Sequence, residues 1–114
     1  MDRAAIVTYL YSSPSLAAVG LTETLARARK LKYRSAIVPL ASLPLVYGDA
    51  AGFLKVIVGG RGQLLGATAV APDAAELLTP LALFLDQPVG EILALPTSYL
   101  SSSELIRHAL IMLQ

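Results

Sequence analysis

Cysteine and tryptophan are both missing from this 114-residue chain. Without cysteine there is no disulfide, no thiolate nucleophile and no thiolate metal ligand, and the redox compartment stays open. Charge is also scarce: nine basic and eight acidic residues make up 15% of the chain and leave a net charge of +1. They are spread without a basic stripe, so phosphate-driven nucleic-acid binding is not expected. Long hydrophobic runs are absent as well. The longest oily passage, residues 77 to 85, holds Thr79 and Pro80 and ends at Asp86, far short of the ~20 apolar residues a bilayer requires. The N-terminal MDRAAIVTYLYSSPS has too short an apolar run and no small-residue cleavage site for a signal peptide, so no membrane association and a cytoplasmic location are expected. GGRG, residues 59 to 62, is the one candidate phosphate loop, but it leads into a strand-like run, whereas a phosphate cradle opens a helix.

What the chain has in excess is hydrophobic residues, 55% of the total. A single domain of this size folds to roughly 6,000 Å² of surface against about 17,000 Å² when extended. One real core fits inside it, yet the apolar content exceeds what that core can hide. Obligate homodimers have this composition, because their interfaces resemble a core cut in half. Self-association is therefore expected, with residues 1–114 forming one interface domain.

Local pattern gives an order of elements. Ala4 to Tyr11 is β-branched and aromatic, a strand closed by Ser12-Ser13-Pro14. Thr22 caps a helix through TETLARARKLK, with Leu21, Leu25 and Ala28 on one face and Arg27, Arg29 and Lys30 solvated on the other. Tyr33 to Leu40 and Phe53 to Val58 read as strands, and GGRG turns the second into a third strand, QLLGATAVA, as an antiparallel hairpin. After Pro72, Asp73-x-x-Glu76 is a variant capping box opening AAELLTPLALFL, in which Pro80 predicts a kink or a late restart. A short helix from Val89 to Leu95 follows, then a final one from Ser103 to Leu113 with Leu105, Ile106, Ala109, Leu110 and Leu113 on one stripe. Four strands and these helices predict an α+β domain, a largely antiparallel sheet with helices packed on it.

Three passages in this order resemble one family. YSSPSLAAVGLTE, residues 11 to 23, carries Pro14, Val19, Gly20, Thr22 and Glu23 where the C-terminal dimerisation domain of the FAD-dependent pyridine nucleotide-disulfide oxidoreductases has its opening signature. GDAAGFLKVIV is similar to that family's Gly-acidic-x-x-Gly-Phe-x-Lys strand, and LLGATAVAPDAAELL to its strand-to-helix passage. Val70-Ala71-Pro72 and Glu76-Leu77 place the resemblance nearest the mercuric reductase branch, with dihydrolipoyl dehydrogenase and glutathione reductase as further members.

The resemblance implies a homodimerisation domain that also sends a side chain into the partner subunit's active site, beside a flavin and a redox disulfide. Most members use a His five residues ahead of a Glu for this. Here that position is Tyr99, five before Glu104, and the run Tyr99-Leu100-Ser101-Ser102-Ser103-Glu104 matches the mercuric reductase-like variant with Tyr. FAD and NAD(P)H are implied for a full-length parent and not for this chain. Two accounts of the pair stand side by side. In one, Tyr99 and Glu104 are catalytic in trans, the phenol acting as hydrogen-bond partner or oxygen ligand. In the other, Ser101-x-x-Glu104 is a capping box that needs Glu104 for backbone reasons alone.

The chain also departs from the family. Leu43 stands near the place of a family Arg, no vicinal cysteine pair ends the chain, and no G-x-G-x-x-G follows a strand. The lone His108 falls one turn after Glu104 and reads as a solvated i,i+4 partner. The chain is therefore not expected to be an enzyme by itself, whether it is an excised piece or separately encoded. Two alternatives remain: a stand-alone, non-catalytic protein-interaction module with the same fold, and a small-ligand or metal-binding protein built on Tyr99, Glu104 and His108.

Overall fold

The structure, a computed structural model, describes residues 8–10, 15–48, 51–94 and 103–113. Their centre is an antiparallel sheet of five strands: β1 Thr8–Leu10, β2 Ser15–Gly20, β3 Tyr33–Pro39, β4 Phe53–Gly59 and β5 Leu64–Ala71, in the order β1-β2-β5-β4-β3. The helices are α1 Glu23–Ala28, α2 Pro44–Tyr47, α3 Ala74–Leu78, α4 Val89–Leu93 and α5 Ser103–Met112.

The predicted α+β class holds, with one strand more than the sequence pattern gave. Ser15–Gly20 pairs with β5 along its whole length, from Ser15 opposite Ala71 to Gly20 opposite Gly66. Its SLAAVG has too little β-branched or aromatic content to signal a strand. Small side chains suit this place because the facing β5 residues are Ala67, Thr68 and Ala69, so the two backbones lie against a tightly packed helix layer. Of the strand expected over residues 4–11, the structure describes only Thr8–Leu10, paired with Leu16 to Ala18.

The β4–β5 hairpin forms as the glycine spacing predicts. The Gly59 N–H donates to the Gln63 carbonyl at 2.8 Å and the Gly62 N–H to the Gly59 carbonyl at 2.9 Å. Gly62 sits at φ +79°, a left-handed conformation that glycine adopts at least cost.

Alternation along the strands sorts the two faces. Leu54, Val56 and Val58 of β4, Ala36 and Val38 of β3, Ala67, Ala69 and Ala71 of β5, and Ala17 and Val19 of β2 are buried in the main core. Over them lie α3, against β2 and β5, and α5, against β3 and β4. Leu105, Ala109, Leu110 and Leu113 of the final helix are buried as its stripe predicts, and Ile106 is partly buried against the core. Each large aliphatic side chain removed from water here contributes about 1.5–3 kcal/mol.

On the opposite face sits α1. It is six residues long, shorter than the TETLARARKLK pattern suggests. Thr22 caps it, accepting from the Leu25 N–H at 3.2 Å. At the other end the Lys30 N–H donates to the Arg27 carbonyl and the Leu31 N–H to the Ala26 carbonyl, both at 3.0 Å. Those paired bonds, with Lys30 at φ +58°, form a Schellman stop that local propensity did not reveal. The buried side chain of α1 is Ala26, while Leu25 is 44% exposed, so the apolar face read from Leu21, Leu25 and Ala28 is rotated from the true one.

Pro80 acts as expected in kind. It has no N–H for the carbonyl four residues back, and its ring crowds that carbonyl. α3 accordingly stops at Leu78, and the chain tightens into a 3-10 helix over Thr79–Phe84 in place of a restarted α-helix. The Thr79 hydroxyl donates to the Ala75 carbonyl at 2.6 Å, closing the last turn. Asp73 is a correction: it stands at the N-cap of α3 but makes no side-chain cap hydrogen bond. Its carboxylate accepts instead from the Tyr47 hydroxyl, at 3.0 and 3.2 Å to the two oxygens, which pins α2 to the start of α3. No helix among the described residues is long and apolar enough to cross a membrane.

Candidate functional site

α5 carries Glu104, one member of the expected pair. Its packing stripe fixes the helix rotation, and the residues between buried positions are left half-exposed. Glu104, in the first turn, and Arg107 and His108, one turn on, are all of this kind. A carboxylate in the first turn faces the positive pole of the helix dipole, a favourable position whatever else it does. Tyr99 and Ser101 lie outside the described residues, so both the trans-acting pair and the Ser101-x-x-Glu104 box have one described member, Glu104.

The flanks of that segment are well defined. The Arg107 guanidinium donates through Nη1 to the Leu93 carbonyl at 2.9 Å in a part-buried setting. Leu93 ends α4, where carbonyls lack a helical partner, and a cationic donor there satisfies one and suits the dipole. His108 lines an apolar groove of about 410 Å³ together with Ile37, Val38, Pro39, Ile111 and Met112. Among the described residues no group of three His, Asp or Glu is placed to hold a metal ion.

A second polar cluster, which the sequence pattern did not single out, lies between α1 and the sheet. The Lys55 ammonium pairs with the Glu23 carboxylate, the Ser35 hydroxyl donates to Glu23 Oε2 at 3.4 Å, and Arg27 Nη1 donates to the Tyr33 hydroxyl at 3.2 Å. A recess of about 320 Å³ beside it is lined by Thr22, Glu23, Arg27, Lys55 and Thr68 among others. The signal was present in Phe53-x-Lys55-x-Ile57, whose alternation puts the lysine on the face opposite the core. What was missing was the long-range knowledge that α1 crosses that face. Both members of the ion pair keep about a quarter of their side-chain surface, 26% for Lys55 and 23% for Glu23. The pair is a tether for α1 worth about 0–1 kcal/mol.

The GGRG turn does not fit a phosphate. The GGRG turn spends its amides internally: besides the Gly59 and Gly62 bonds, the Arg61 N–H donates to Gln63 Oε1 at 3.0 Å. No helix N-terminus follows it, so there is no phosphate cradle.

This fold agrees with known proteins. Residues 6–92 match the family model described as "Pyridine nucleotide-disulphide oxidoreductase, dimerisation domain". The chain belongs to that family. Among curated relatives, a mercuric reductase from Shigella flexneri is 35% identical over 86 residues, which is 73% of this chain and 15% of that protein. A mercuric reductase from Bacillus cereus is 29% identical over 106 residues, 89% of this chain and 17% of that protein. The HOCl-induced flavoprotein disulfide reductase RclA from Escherichia coli, solved as a Cu(II) complex, superposes with a TM-score of 0.88 at 25% identity. That superposition covers 99% of this chain and 27% of RclA. The chain thus spans well under a third of the proteins it resembles. As a member of this dimerisation-domain family it is built for self-association, and the mercuric reductase-like resemblance read from Val70-Ala71-Pro72 is that of its relatives.

Proposed function

We propose that this chain is the homodimerisation domain of a mercuric reductase-like flavoprotein, with FAD and NAD(P)H bound by other domains of the same enzyme and a cytoplasmic location. The observation that carries the proposal is the agreement of residues 6–92 with a dimerisation-domain family. Surface composition supports it. Leu83 is 80% exposed, Met112 61% and Ile37 54%, and Leu16, Leu25, Leu31 and Ile111 are also exposed. In a chain with only 15% charged residues, that much solvated aliphatic surface favours a second copy over water.

Within that proposal, Tyr99 and Glu104 act in trans: Tyr99 presents its phenol to a substrate or ion held by the partner subunit, and Glu104 orients the start of α5. Burial of Leu105, Ala109 and Leu110 supports the reading for Glu104, because it holds the head of that helix to the core.

Light scattering with the chain at micromolar concentration tests the dimer. The expected mass is twice that of the monomer, and a monodisperse monomer refutes the proposal. The trans role is tested in a chimaera that joins this chain to the remaining domains of the Shigella flexneri mercuric reductase. Tyr99→Phe is expected to lower its turnover with the dimer mass unchanged; equal turnover removes Tyr99 from the chemistry.

A further inference from the structure

Charges that balance over the whole chain do not balance locally. Five of the nine basic residues, Arg27, Arg29, Lys30, Lys32 and Arg34, fall within eight positions, and after Arg61 the next one is Arg107. The fold brings Arg61 to the same end of the molecule. Tyr33 pairs with Gly59 at the start of the β4–β5 turn, and a Cβ on Gly60 would stand 3.3 Å from the Lys32 Cβ. Arg27 reaches the same place from α1, through its bond to the Tyr33 hydroxyl at 3.2 Å. All six of these cations are exposed. A basic cluster thus stands where the sequence totals read as an even spread.

Two acids come near it. Glu23, on α1, is paired with Lys55. Asp86 approaches the hairpin from the segment before α4, its N–H donating to the Leu64 carbonyl at 2.8 Å. Six cations outweigh both.

Two leucines stand in water among the cations: Leu25, 44% exposed, one turn before Arg29, and Leu31, 43% exposed, between Lys30 and Lys32. A twofold contact centred on this end would set like charges face to face, which disfavours a second copy here. A phosphodiester chain answers the cations but gives the aliphatic side chains nothing to bury against. A bilayer containing anionic lipid answers both. Its headgroup charge attracts each Lys and Arg within about a Debye length, ~10 Å at 0.1 M salt, and leucines enter the boundary between headgroups and acyl chains. Such contact needs no spanning helix, so the expectation drawn from the missing span does not bear on it.

We propose that the α1–β3 junction and the β4–β5 turn form a docking surface for an anionic lipid bilayer, with the six cations as its electrostatic contacts and Leu25 and Leu31 as its apolar ones. The proposal is independent of the dimer and of Tyr99.

The test is co-sedimentation of the 114-residue chain with vesicles of phosphatidylcholine alone and with about 30% phosphatidylglycerol added. Binding is expected to the anionic vesicles alone, and to fall about tenfold or more as salt rises from about 0.1 to about 0.5 M. Lys32→Gln combined with Arg61→Gln is expected to weaken it about tenfold or more, because each cation near the surface contributes separately. Leu31→Ser is expected to weaken it about threefold with the salt dependence kept. Equal sedimentation with both kinds of vesicle overturns the proposal. Wild-type binding by Leu31→Ser overturns it too, and displacement by a short DNA duplex then marks the cluster as a nucleic-acid site. Should the double variant fail to fold, Arg61→Gln, in the turn, is judged by the same criteria. Light scattering of the same chain reads the dimer separately.

Discussion

Replacing Gly66 by alanine should unzip the centre of the sheet, and the size of the effect follows from the crossing of β2 and β5. Gly66 faces Gly20 in the ladder, and there the chain leaves β2 with the Leu21 N–H still bonded to the Leu65 carbonyl at 2.9 Å. A Cβ on Gly66 would stand 2.1 Å from the Leu21 oxygen, 2.7 Å from the Leu21 nitrogen and 2.9 Å from the Val19 oxygen. All three are backbone atoms, so no side chain can swing aside. Restoring an ordinary 3.4 Å contact means moving one strand by about 1.3 Å (3.4 − 2.1), enough to lose the Leu21–Leu65 bond. Overpacking of this kind costs about 1–3 kcal/mol and the lost hydrogen bond a further ~0.5–1.5 kcal/mol, together about 2–4 kcal/mol. With a urea m-value near 1.5 kcal/mol/M, a loss of about 3 kcal/mol lowers the unfolding midpoint by ~2 M.

The assay is urea unfolding followed by circular dichroism at one fixed chain concentration, since a dimer's stability depends on concentration. Gly90→Ala is the internal control. It makes the same change inside α4, where nothing lies within 4 Å of the added carbon, and should stabilise by about 0.5–1 kcal/mol through helix propensity. Opposite signs for one substitution at two sites are the expected outcome. A Gly66→Ala midpoint within about 0.3 M of wild type, or an equal loss of stability in Gly66→Ala and Gly90→Ala, refutes the close-approach argument.

Lys30→Gly removes the cost of a left-handed lysine at the stop of α1 and should stabilise by about 0.5–1 kcal/mol; a loss of stability in thermal unfolding contradicts the Schellman assignment. Tyr47→Phe deletes the bond to Asp73 and should cost about 1.5 kcal/mol. If that bond is the main role of both groups, Asp73→Ala combined with Tyr47→Phe costs little more than either alone, and full additivity counts against the pairing. Breaking the Glu23–Lys55 tether with Lys55→Met should change stability by no more than about 1 kcal/mol and less at high salt. A loss of several kcal/mol would mean that the cluster under α1 is a structural centre and not a tether.

Periodicity and punctuation determined much of this protein. GGRG set a hairpin, Thr22 a helix start, Pro80 the end of an α-helix, and the Leu105–Leu113 stripe the buried face of α5, because each depends on residues within one or two turns of one another. The scarcity of charge likewise pointed to a partner surface without any coordinates. Tertiary structure alone decided the remainder. Ser15–Gly20 is a strand because β5 offers it a ladder, not because its small residues favour extension. Asp73 left its capping duty for a tyrosine 26 positions away, and Lys55, Glu23 and Ser35 met only when α1 crossed the sheet. Arg107 found the Leu93 carbonyl across the end of a neighbouring helix. Each of these contacts joins groups far apart in the chain, and a local pattern carries no record of which distant surface a side chain will face.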